Sequence, residues 1–260
     1  MERNPIRTIT SFVLENHRKI DMSRQIHSME DLEHLIEEMG FLPFFWNGIE
    51  GFSVADVTPA EYWFPEEGDG VWEWKGPIII DGGFAYGKFF ENKAGFISMD
   101  WFPDFLNYRR HAYKLSNQER KILTVLKEHQ SLLSKELKKE CGYIKPHLPR
   151  AHNPLEKLLN KETMAVVKKP KDHKESFETA ITRLQMSANV LTADFEYNYD
   201  KQGKRYGWGV ARYCTPEDFF GEENFTHIER KPEESAQRIH EYLRKLLPYA
   251  SEQQLIKIIG

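Results

Sequence analysis

The stretch that most limits what this chain can fold into lies in its last third. Residues 190–199 alternate apolar and polar side chains, Asp200-Lys201-Gln202-Gly203-Lys204 has the composition of a turn, and residues 205–213 alternate back. A two-residue period on both sides of a turn specifies an antiparallel hairpin. The segments before it narrow the choice. Ser116 and Glu119 are spaced as a capping box ahead of Ile122, Leu123, Val125 and Leu126, and a second short helix is expected over residues 134–141, stopped by Gly142. A third helix is expected over residues 176–186, with Phe177, Ile181 and Leu184 on one side and Arg183 on the other. Three helices followed by a hairpin is the order of a winged helix, which places its third helix in the DNA major groove and its hairpin, the wing, against the backbone or minor groove. Residues 143–175 interrupt this unit as a lysine-rich insertion. Within it, Asn153-Pro154 starts a helix through Leu158 and Leu159, and residues 164–167 read as a strand.

The first half reads differently. Ser28 caps a helix with Met29, Leu32, Leu35, Ile36 and Met39 as its apolar stripe and Gly40 as its stop, and Thr58-Pro59 opens a short helix through Phe64. Antiparallel strands are expected at residues 72–74, 78–80, 84–90 and 95–97, with Asp81-Gly82-Gly83 and Glu91-Asn92-Lys93 as turns; Ser98 then caps a helix that ends near the basic run Arg109-Arg110-His111. The expected fold class is therefore α+β. An arm (1–27) precedes a small antiparallel-sheet domain (28–113), followed by a winged-helix domain with an insertion (114–221) and C-terminal helices (222–260).

Charge limits what such a chain can bind. A net charge of -4 over 260 residues argues against a protein that coats nucleic acid, because non-specific binding draws on a basic surface that releases counterions. Any contact with double-stranded DNA has to be a local patch. The wing offers Lys201, Lys204 and Arg205 to phosphates and Tyr206 and Trp208 for stacking; the third helix and its approach offer Arg183 and Lys174. The run Lys168, Lys169, Lys171 and Lys174 extends this set. The plainer alternative is that the lysines keep a hairpin tip and a loop in solution while the aromatics pack beneath them, as in winged helices that dock other proteins.

A second candidate lies in the first domain, where Trp74, Lys75, Tyr86 and Lys88 fall on neighbouring expected strands and would line a pocket for a flat ligand. The competing reading makes Trp72 and Trp74 core residues of one strand face. Catalytic residues are not assigned: the sequence has no nucleophile elbow, HExxH, P-loop or Rossmann fingerprint. The ten histidines and two cysteines lack metal-ligand spacing, so no metal or cofactor is expected. No apolar run approaches the roughly 20 residues of a membrane span, and the N-terminus lacks the apolar core of a signal peptide. A cytoplasmic protein is expected, with no membrane partner and no motif that sets an oligomeric state.

Several short stretches carry a resemblance. Residues 177–186 (Phe-Glu-Thr-Ala-Ile-Thr-Arg-Leu-Gln-Met), Asp194-Phe195-Glu196-Tyr197, Tyr206-Gly207-Trp208 and Thr215-Pro216-Glu217 are similar to the C-terminal part of AlkZ-related bacterial proteins. Asp69-Gly70-Val71-Trp72-Glu73-Trp74-Lys75-Gly76-Pro77-Ile78, Tyr86-Gly87-Lys88-Phe89-Phe90 and Lys93-Ala94-Gly95-Phe96 match the earlier part of the same pattern. AlkZ-type proteins are winged-helix DNA glycosylases, so the resemblance implies duplex DNA as partner, a place in DNA repair and hydrolysis of an N-glycosidic bond as possible chemistry. Their catalytic signature is a Gln-x-Asp or Gln-x-Gln triplet. None of Gln25, Gln118, Gln130, Gln185, Gln202, Gln237, Gln253 and Gln254 has Asp or Gln two positions on, so the expectation of DNA binding carries over and the catalytic residues do not.

Overall fold

The computed structural model describes residues 25–144, 153–166, 175–226 and 228–260. In chain order the elements are α1 (Met29–Met39), β1 (Phe41–Pro43), α2 (Val54–Val57), α3 (Val71–Gly82), β2 (Ala85–Phe90), β3 (Lys93–Ile97), α4 (Phe102–Ala112) and α5 (Asn117–His129). They continue with β4 (Ser131–Leu133), α6 (Ser134–Glu140), α7 (Pro154–Val166), α8 (Phe177–Met186), β5 (Leu191–Tyr199), β6 (Arg205–Cys214), α9 (Pro216–Phe220), α10 (Pro232–Leu246) and α11 (Glu252–Ile259). The fold is thus mixed α/β, with two small antiparallel sheets.

One sheet has the order β1-β3-β2, with Phe41 and Ala85 both paired to Ile97. Phenylalanines fill the space on it: Phe41, Phe44, Phe52, Phe89, Phe96, Phe102 and Phe105 are fully buried. The stripe Leu32, Leu35, Ile36 and Met39 of α1 is buried in the same core, and Ser28 caps that helix by accepting from the Asp31 amide. The last two helices close the core from far along the chain, through Ile239, Leu243, Leu255 and Ile258. Burial of so much apolar surface is the main stabilising term. A polar clasp fixes its geometry: Asp104 on α4, 1% exposed, accepts from Arg230 Nε (2.8 Å), Ser235 Oγ (2.7 Å) and Arg238. Two guanidiniums and a hydroxyl compensate a carboxylate that would be costly to bury alone.

The other sheet has the order β4-β6-β5, and α5, α6 and α8 pack on it around Ile122, Leu126, Leu137, Phe177, Ile181, Leu184 and Val190. Ser116 and Glu119 form the expected capping box of α5. The short β4, unforeseen in the sequence, pairs Leu132 with Tyr213 and pins the end of α5 to β6. The hairpin β5–β6 has the expected place and turn.

Four expectations need correction. Residues 72–74 and 78–80 are not strands but parts of α3, whose buried positions Val71, Lys75, Ile78 and Ile79 follow the helical period. Glu73 accepts from the Gly70 amide at the helix start, so the first turn is capped although Pro77 lies further inside. Residues 164–166 belong to α7, and Val167 lies outside the described residues. Ser98 does not cap α4 with its side chain: its buried Oγ has no hydrogen-bond partner and the helix begins at Phe102. The expected helix after Thr58-Pro59 is a single 3-10 turn, Ala60–Tyr62. Of the expected arm (1–27), only Gln25, Ile26 and His27 fall among the described residues, and Ile26 is buried.

Candidate nucleic-acid interface

The hairpin is longer than the sheet it starts from, and its outer half is irregular. Glu196 pairs with Val210 but Asn198 pairs with Tyr206, so β6 takes four steps where β5 takes two. The surplus is a bulge around Gly207, whose φ of 73° suits glycine. Trp208, next in sequence, meets Trp72 and Phe64 edge-on, with ring centroids 5.3 and 6.2 Å away. Gly209 lets the strands close: a Cβ there would lie 2.9 Å from the Tyr197 ring and 3.0 Å from Phe195 Cβ. Gly209→Ala is expected to destabilise the protein by about 1–3 kcal/mol through overpacking, read as a lower urea midpoint at unchanged slope.

The expected DNA-contacting residues fall into two groups. Lys201 and Lys204 are exposed at the tip and have no ion-pair partner among the described residues. Asp200 shapes that tip, its Oδ1 accepting from the amides of Gln202 (2.9 Å) and Lys204 (2.8 Å). Tyr206 and Trp208 are 55% and 66% exposed. The two arginines are engaged internally. Arg205 Nη2 lies 2.8 Å from Asp69 and 3.7 Å from Glu73, with its guanidinium over the Tyr197 ring. Arg183 Nε lies 3.1 Å from Glu119, a carboxylate only 1% exposed, and Arg183 Nη1 lies 3.4 Å from Glu175. Lys174, Lys168, Lys169 and Lys171 lie outside the described residues.

The residues expected to line a pocket are dispersed around the root of the hairpin. Lys75 and Tyr86 share two ring neighbours: Lys75 Nζ lies 4.6 Å from the Phe195 centroid and 5.9 Å from that of Phe44, and the Tyr86 ring lies 5.8 and 6.3 Å from the same two. Lys75 Nζ also sits 3.4 Å from a Trp72 ring and donates to the Trp72 carbonyl at 2.6 Å. Burial pushes the Lys75 ammonium down to about 7 and the Tyr86 phenol upward. Trp74 Nε1 donates instead to the Asp69 carbonyl, and Lys88 reaches α8, donating from Nζ to Thr182 Oγ1 and from its amide to the buried Gln185. Sequence reasoning did not find Phe64, Asp69 and Glu73 as partners of the hairpin. Their separation from Arg205 and Trp208 exceeds 130 residues, and no local period reports such a contact.

This is a mixed α/β protein in which three helices packed on a sheet precede a hairpin whose tip bears Lys201 and Lys204, neither with an ion-pair partner among the described residues. The chain belongs to the AlkZ-related family, whose model matches residues 26–260. No curated protein and no solved structure matches it. No helix among the described residues is long and apolar enough to cross a membrane.

Proposed function

We propose that this chain is a winged-helix DNA-binding protein of DNA repair. In this reading α5, α6 and α8 are the three helices, β5–β6 is the wing, and the winged-helix domain spans residues 114–221 after a first domain at 28–113. One observation carries it: after three helices on a shared apolar core, the hairpin bears exposed Lys201 and Lys204 at its tip, with no ion-pair partner among the described residues. Membership of the AlkZ-related family supports the link to repair and to duplex DNA. Lys201 and Lys204 hold phosphates, Tyr206 and Trp208 stack against bases or sugars, and Arg183, Arg205 and Lys174 are further contacts.

The test is binding of purified protein to a labelled duplex over a range of salt. Each phosphate contact contributes about 0.9 to the slope of log K against log salt, so Lys201→Ala/Lys204→Ala is expected to lower that slope by about 2 and to weaken binding of all sequences alike. No binding of the unaltered protein at low salt would overturn the reading. The same family membership favours base excision as a second reading, checked by release of free base from alkylated duplex.

A further inference from the structure

The segment that meets the hairpin is acidic. Glu66, Glu67 and Asp69 are exposed around Gly68, and Glu73 follows in the first turn of α3. Arg205 is held between the Asp69 and Glu73 carboxylates and lies over Tyr197, while Trp208, three residues on, is flanked by Phe64 and Trp72 at the two ends of the same acidic segment. A guanidinium between carboxylate oxygens is in the arrangement it would adopt on a phosphate. Arg205 is thus one of the hairpin's basic groups, and its position for an anion is already filled from within the chain.

We propose that residues 66–73 act as an internal competitor for the DNA backbone, with Asp69 occupying the position on Arg205 that a phosphate takes when duplex DNA binds. The proposal rests on the DNA-binding reading. In the held state Arg205 contributes nothing to DNA affinity, because the apparent affinity is reduced by the fraction of molecules in which the hairpin is free. Removing one half-exposed ion pair raises that fraction modestly, so Asp69→Asn is expected to tighten duplex binding about two- to five-fold.

Loss of any negative charge also favours DNA, and Glu67→Gln measures that part. It removes the same charge from the same segment without touching Arg205. Duplex binding is measured for the unaltered protein, Asp69→Asn, Glu67→Gln, Arg205→Ala and the Asp69→Asn/Arg205→Ala pair, together with the rate of trypsin cleavage after Lys201 and Lys204 in the absence of DNA. The expected result is a gain in Asp69→Asn that exceeds the one in Glu67→Gln, disappears when Arg205 is absent, and comes with faster cleavage of the hairpin. Equal gains in the two single variants, or a gain that survives Arg205→Ala, would overturn the competitor. Salt-dependent binding by the unaltered protein with no change in Asp69→Asn sinks the competitor and leaves the DNA reading standing. No binding by any variant at low salt removes both.

Discussion

Replacing Arg109 with leucine is expected to destabilise the protein by about 3–5 kcal/mol, a loss on the order of 10 °C in Tm for a chain of this size. Arg109 lies in the last turn of α4 and is 1% exposed, yet no carboxylate pairs with it among the described residues. Its guanidinium is held by carbonyls and a hydroxyl: Nη1 donates to the Met186 carbonyl and to Tyr113 Oη, each at 3.2 Å, and Nη2 donates to the carbonyls of Phe89 (3.1 Å) and Ile258 (3.2 Å). Those acceptors sit at the ends of α8, β2 and α11, so one side chain joins the helical unit that bears the hairpin to the first sheet and to the last helix. The Phe105 ring, 4.6 Å away, adds a cation–π contact. Leucine would leave three carbonyls without a donor, those of Phe89 and Ile258 at buried contacts costing about 1–3 kcal/mol each, and a cavity besides. Lysine retains the charge but lacks the fork that reaches three carbonyls, so Arg109→Lys should fall between the two. Urea unfolding of the three proteins provides the measurement. A loss below 1 kcal/mol in Arg109→Leu would mean that the carbonyls find other donors and that Arg109 is not the joint described.

Neither Arg109 nor the competitor segment was legible in the sequence, and the reason is shared. Local pattern reports periods and caps, which is why α1, the Ser116–Glu119 capping box, the turn at Asp200 and both strands of the hairpin were found where the structure has them. It fails where a buried position holds a residue of the wrong polarity. In α3 the buried set Val71, Lys75, Ile78 and Ile79 is a helical stripe, but a lysine at its second position and the alternation Trp72-Glu73-Trp74 made the segment look like a strand. Pro77 also weighs against a helix by local rules, since proline inside a helix removes a backbone donor. In the sequence Arg109 belongs only to a basic run at the end of a helix, and the distant carbonyls of Met186 and Ile258 are what reveal it as core. At the candidate interface, the basic and aromatic residues of the hairpin and α8 were legible one by one. Which of them are free was not, because Arg205 and Arg183 owe their engagement to Asp69 and Glu119, on other elements.

Lys75, the residue that concealed α3, also sets a pH dependence that can be isolated. The residue is 2% exposed, its amine lies against Trp72, Phe195 and Phe44, and burial brings its ionisation from an ordinary 10.5 to about 7. Below pH 7 the lysine is charged in both the folded and the unfolded chain, and the folded state carries the full cost of burying that charge. Between about 7 and 10.5 the unfolded chain holds a proton that the folded one has released, so the Lys75 contribution to stability rises with pH, by up to about 1.4 kcal/mol per pH unit. Methionine at this position fills the same space without a titrating group. At pH 6, Lys75→Met should therefore be more stable than the unaltered protein. At pH 9 that advantage should shrink to about 1 kcal/mol, because roughly 2 kcal/mol of the cost of neutralising the amine remains and the hydrogen bond that the neutral amine donates to the Trp72 carbonyl, about 1 kcal/mol, offsets half of it. The difference between the two proteins, followed by urea unfolding from pH 6 to 9, should swing by roughly 2–3 kcal/mol in favour of the unaltered protein. Titrating groups that do not interact with Lys75 cancel in that difference. A flat difference would place the Lys75 ammonium in contact with solvent. A swing of the expected sign would show that the root of the hairpin, where Phe195 covers this amine, is closed to water.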